Sequence, residues 1–165
     1  MIWVVDTCVL IDVFRGDKTF SEMSSMALQS KLDDVLTVAP ITYVELSPEF
    51  NGDVAAQDAF LDAMWIQRDF KGSKEAVLLA HKAWYEHIMR KRAGNAPKRP
   101  IADVLIGAYA LQKGGLITRN EADFKALYPP PAFSRLIRKP EMSKLLGGHI
   151  NYEKVSTPMR IAAMA

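Results

Sequence analysis

The chain is poor in the residues that build covalent or soft-metal scaffolds. It holds one cysteine, Cys8, and three histidines in 165 residues. A single cysteine excludes an internal disulfide, and with no second thiol or nearby imidazole it makes no metal signature, so a small buried residue is its expected role. His81 and His87 are six apart and do not share a helical face, so ordinary partly buried histidines are expected there rather than a zinc pair. No apolar run approaches the ~20 residues that span a bilayer, and the N-terminus has no basic leader. A cytoplasmic protein with no membrane partner is expected. Internal repeats are absent, and so is a nucleotide-binding glycine loop, because Gly72-Ser73-Lys74 lacks the upstream glycine of a P-loop.

What is present suits a soluble globular domain. The composition is 49% hydrophobic and 24% charged, and the length allows one compact core without disulfides or metal clips. The net charge of +2 conceals a division. Residues 1–70 hold 4 Lys+Arg against 12 Asp+Glu, a balance of −8, and residues 71–165 hold 17 against 7, a balance of +10. A carboxylate site beside a basic surface would suit metal-dependent work on a polyanion, although two ordinarily solvated faces give the same counts.

The apolar and β-branched segment Ile2-Trp3-Val4-Val5 reads as a buried strand that ends on Asp6 and passes into a helix with no Gly or Pro between. Arg15-Gly16-Asp17-Lys18 stops that helix. Residues 19–32 read as a second helix, with Phe20, Met23, Met26 and Ala27 at core spacing. Asp33-Asp34 is read as turn chemistry before a strand over 35–39. Pro40 opens a helix that carries Glu45 and ends by Pro48. A helix over 54–64 has Ala55, Ala59, Phe60 and Ala63 on one side, and a strand over 65–67 follows. The longest helix, over 73–92, presents Val77, Leu78, Ala80, His81, Trp84, Tyr85, Ile88 and Met89 as a broad apolar face. A basic loop follows, in which five of the ten positions 90–99 are Lys or Arg. The helix from Ile101 is nearly all apolar and therefore buried, with Asp103 in its first turn. Gly114-Gly115 ends it, Leu116-Ile117-Thr118 is a strand, and residues 119–124 begin another short helix. A fifth, edge strand is expected at 135–138, and 140–165 form a tail or added element beyond a domain of 1–139.

Strands alternating with helices specify an α/β fold with a mainly parallel sheet of about five strands. In such sheets ligands sit beyond the carboxyl ends of the strands. Four acid-bearing segments follow strands or open helices there: Asp6, Glu45, Asp103 and the stretch from Asn120 to Asp123. Each has a bland local explanation. Asp6 could cap the helix that follows it, Thr42 and Glu45 have capping-box spacing, and Asp103 is favourable beside a helix N-terminus. Together they make a different pattern, since clustered carboxylates repel unless a cation neutralises them. Oxygen ligands of this kind favour magnesium or manganese over zinc.

Four motifs, in this order and spacing, carry a family resemblance: Val5-Asp6-Thr7-Cys8-Val9-Leu10-Ile11-Asp12, Thr42-Tyr43-Val44-Glu45-Leu46, Ala102-Asp103-Val104-Leu105-Ile106-Gly107-Ala108-Tyr109-Ala110 and Leu116-Ile117-Thr118-Arg119-Asn120. Over residues 2–139 the chain resembles PIN-domain ribonucleases, and within them the VapC-type toxins of toxin-antitoxin pairs. The resemblance implies a three-layer α/β/α fold, Mg- or Mn-dependent endoribonuclease activity, homodimerisation and neutralisation by a VapB-type antitoxin. It carries acidic metal-binding and catalytic roles to Asp6, Glu45 and Asp103, with the fourth position at Asn120 or Asp123. Two positions depart from the pattern: Cys8 stands where Ser, Asn or Thr is usual, and Asn120 is often Asp.

Metal-assisted hydrolysis of RNA follows from this reading, with Lys98, Arg99 and Arg119 as candidate phosphate contacts by charge and position. Two other functions remain: a PIN-like module that binds RNA or protein without cutting, against which the intact acids argue, and an aspartate-nucleophile phosphatase. The latter usually has a second acid two residues after its nucleophile, where this chain has Cys8.

Overall fold

The structure is a computed structural model that describes residues 1–95 and 101–129. The chain alternates as expected: β1 Ile2–Val5, α1 Thr7–Arg15, α2 Ser21–Gln29, β2 Val35–Val38, α3 Pro40–Leu46, a 3-10 turn Ser47–Phe50, α4 Val54–Ala63, β3 Ile66–Arg68, α5 Lys74–Arg92, α6 Ile101–Lys113, β4 Gly114–Ile117 and α7 Glu121–Leu127. The four strands are all parallel in the order β3-β2-β1-β4. The expected fifth strand at 135–138 and the tail at 140–165 lie outside the described residues.

Because successive strand residues face opposite ways, β1 feeds two cores. Trp3 and Val5 pack with Leu36, Val38, Ile66 and Ile117 beneath α1, α2 and α4, whereas Val4 and Leu116 pack beneath α6 and α7, with Ala80 and Ala83 of α5. The outcome is a three-layer α/β/α domain with β1 and β2 buried at its centre. Among the described residues no helix is long and apolar enough to cross a membrane.

Local chemistry explains most boundaries. Gly16 closes α1 in the left-handed conformation (φ 59°), and Asp53 and Ser73 cap α4 and α5 with side-chain oxygens. Three expectations need correction. Gly114-Gly115 follows the end of α6 as expected, but both glycines belong to β4, which runs Gly114–Ile117 rather than 116–118: a Cβ on Gly115 would stand 2.2 Å from the Trp3 ring, so the residue is glycine because the indole crosses it. Trp65 belongs to no strand; it is exposed with φ 59°, and β3 starts one residue later.

The buried stripe of α5 is Ala76, Ala80, Ala83 and His87, while Val77, Leu78, His81, Tyr85 and Met89 face outward. Small side chains let α5 lie close on α6. His87 is thus fully buried and stacks on Trp84, and His81 is exposed. Asp34 does more than turn the chain, since it accepts the Trp3 indole N–H at 2.9 Å. This anchor lies at the amino end of β1, opposite Asp6.

Candidate active site

Asp6 stands where β1 passes into α1. Its backbone is extended, as before a helix (φ −73°, ψ 147°), yet its side chain closes no capping hydrogen bond. Capping therefore does not account for this acid. Oδ2 instead accepts the Thr118 hydroxyl at 2.6 Å and the Cys8 thiol at 3.1 Å, and the residue is 4% exposed. Burial pushes the carboxyl above its usual range, opposed by the Thr118 and Cys8 side chains and by the nearby amides of Thr7 and Cys8. Cys8 takes the supporting place of the Ser, Asn or Thr that the motif usually has. Its thiol is pushed up to about 12 by burial and by the Asp6 charge, with Arg119 opposing, so it acts as a neutral donor.

The next residue along α1 reaches a second acid. Thr7 donates its hydroxyl to Glu45 Oε2 at 2.6 Å. Glu45 is the sixth of the seven residues of α3, whose N-cap is Ala39 with Pro40 at the first turn. Thr42 is therefore inside the helix, fully buried, and its Oγ1 has no hydrogen-bond partner. The capping-box alternative for Glu45 fails, because the supposed cap is not at the cap position and Glu45 turns to α1.

Asp103 lies half-buried in the first turn of α6. That helix runs back to the start of β4, so its beginning is at the carboxyl edge of the parallel sheet. α3 packs against both α1 and α6, bringing the segments that carry Asp6, Glu45 and Asp103 together. At the same edge Asn120 precedes α7, its amide donating to Thr118 Oγ1 at 3.0 Å, and Asp123 sits in the first turn of α7. Among the described residues, no three Asp, Glu, His or Cys side chains stand close enough to hold a metal ion as they are. Asp6 and Glu45 are each tied to a threonine hydroxyl instead.

Arg119, expected to face a phosphate, is held from within. Its guanidinium lies 4.4 Å over the Phe20 ring, and its Nε is 3.5 Å from Oδ2 of Asp12. Asp12 is 2% exposed and accepts the Ser24 hydroxyl at 2.9 Å. Lys98 and Arg99 lie outside the described residues. Sequence reasoning missed Thr7, Thr118, Asp12, Ser24 and Phe20. The available signals were slight: a polar residue closing the Leu116-Ile117-Thr118 strand, and a lone acid ending the apolar run of α1.

No family model and no curated protein matches the chain. Solved structures do. One is the crystal structure of VapBC2 from Rickettsia felis bound to a DNA fragment from their promoter, with 16% identity over 84% of this chain and 98% of that one and a TM-score of 0.61. Another is the structure of VapBC-1 from nontypeable Haemophilus influenzae, with 21% identity over 77% of this chain and 92% of that one and a TM-score of 0.56. At these identities the likeness is one of fold, and it spans nearly the whole of both relatives. The chain has the PIN-like α/β/α fold that these VapBC structures share.

Proposed function

We propose that this protein is a Mg- or Mn-dependent endoribonuclease and the toxin of a VapBC-type pair, with a VapB-type antitoxin as its partner and a homodimer as its assembly. The observation that carries the reading is Asp6. It is a buried carboxylate that caps nothing, held by Thr118 and Cys8 beside the Thr7–Glu45 bond, at the sheet edge where Asp103 also begins its helix. Keeping such a group dry costs stability unless a cation or donors compensate it. The donors available are oxygens, which suit a hard divalent ion.

Asp6, Glu45 and Asp103 are the residues that would hold the cation, with Asn120 or Asp123 adding a fourth donor. When bound, the ion supplies charge to polarise a phosphate oxygen and to acidify a water. Thr118 and Cys8 orient Asp6, and Thr7 orients Glu45, which fixes the direction from which each carboxylate faces the edge. Arg119, with Lys98 and Arg99 by charge alone, would bind flanking phosphates. A PIN-like module that binds without cutting has no use for three acids at one edge. The test is cleavage of a labelled single-stranded RNA by purified protein in Mn or Mg and in excess EDTA. Cleavage with metal and none with EDTA is expected, and equal cleavage in EDTA would sink the reading.

A further inference from the structure

Asp12 is the buried charge that the proposed chemistry leaves unused. It sits six residues beyond Asp6 on α1, is 2% exposed, and is pushed above the usual carboxylate range by burial, with Ser24 and Arg119 opposing. Buried ion pairs are poor stabilisers, and apolar replacements often serve a fold as well. A merely structural link between α1 and α2 would not need a carboxylate, nor one that shares its neighbourhood with Asp6. Asp12 accepts the Ser24 hydroxyl and sets its charge 3.5 Å from Arg119 Nε.

The rest of the cradle serves the same end. Asp17 accepts the backbone amides of Thr19 and Phe20 at 2.8 and 2.9 Å, which fixes the Phe20 ring under the guanidinium. Arg119 Nε is fully buried 3.5 Å from Asp12 Oδ2, an ion pair without a hydrogen bond, while the side chain as a whole remains 31% exposed, so the exposure belongs to its other atoms. Arg119 also follows Thr118, the residue that holds Asp6. A stacked arginine with one edge anchored is pre-organised, and less freedom is lost when its other edge meets a phosphate.

We propose that Asp12, with Ser24 and Phe20, is a positioning residue that fixes the Arg119 guanidinium over the Phe20 ring, one residue on from the Thr118 that holds Asp6, where its outer edge grips a phosphate of the RNA chain. The inference rests on RNA as the substrate. It is tested on the intact protein with a fluorescein-labelled single-stranded RNA, by anisotropy in EDTA across a KCl series and by steady-state cleavage in Mn.

Asp12→Asn is expected to raise Kd and KM about three- to tenfold, the worth of a half-exposed charge-assisted contact. It should leave kcat near wild type and flatten the salt slope by about 0.7, one phosphate on a single strand. Arg119→Gln should do the same, and the double variant no more than Arg119→Gln alone. If Asp12→Asn fails to fold, Ser24→Ala should move Kd in the same direction. Additive effects, or a lowered Tm with Kd, KM and slope unchanged, would overturn the proposal. RNA bound but not cut by the wild type would sink the nuclease reading while the binding series still judged Asp12. RNA cut with Arg119→Gln unaffected would sink only the Asp12 proposal, and a wild type that neither binds nor cuts would sink both.

Discussion

Thr118 and Asp6 stand 112 positions apart in the chain and meet at 2.6 Å. The hydroxyl donates to the charged form of a carboxyl that burial drives the other way. A carboxyl whose folded pKa exceeds its unfolded value contributes fully to stability below the unfolded pKa, and that contribution is lost as pH rises through the folded value. Thr118→Val removes a donor of nearly equal shape, so the folded pKa of Asp6 rises further. A hydrogen bond to a charged group is worth about 1.5 to 3 kcal/mol, enough to move a pH profile visibly. A cation needs the deprotonated form. The acid limb of the cleavage profile should therefore move to higher pH in Thr118→Val, and the metal-free Tm should fall more steeply with rising pH than in wild type. Superimposable pH profiles would mean that this hydroxyl does not govern Asp6.

At the scale of elements, the alternation of strands and helices was legible because apolar runs and glycine or proline breaks are local signals. The acids were legible for the same reason, since Asp6 follows a strand, Asp103 lies in the first turn of a helix, and Glu45 lies on the short helix that follows β2 directly. Their supports were not. Thr7 reaches Glu45 across 38 residues, and Asp12 meets Arg119 from far away in the sequence, so the partner of a short polar side chain is settled by topology rather than by spacing. Packing decided the other misses. α5 has apolar groups on several sides, and only α6 selects its alanines for burial. The glycine pair did mark the end of α6, but the place of Gly115 inside β4 was hidden, because the ring that needs its missing Cβ belongs to Trp3, on a neighbouring strand. Gly115→Ala should consequently destabilise the fold by about 1 to 3 kcal/mol or more, the range for overpacking a closed core. Thermal or denaturant unfolding measures it, and an unchanged midpoint would mean that Trp3 can leave its place without cost.

At the scale of the whole molecule, a strand end, the last turn of α3 and the first turns of α6 and α7 carry acids from the first, second and third quarters of the chain to one edge. The central claim is that they form one site for a divalent cation, although threonine hydroxyls hold two of them now. The direct measurement is the thermal midpoint of wild type, Asp6→Asn, Glu45→Gln and Asp103→Asn, each with and without Mn. A ligand that binds only the folded state at a hundred times its Kd stabilises by about 2.7 kcal/mol, so wild type should gain several degrees. Each variant should lose most of that gain. Asp6→Asn should melt without metal at the wild-type midpoint or above it, because burial already disfavours the charge that the substitution removes. Variants that keep the full Mn-dependent rise would contradict the account, and so would a wild type that Mn does not stabilise at all.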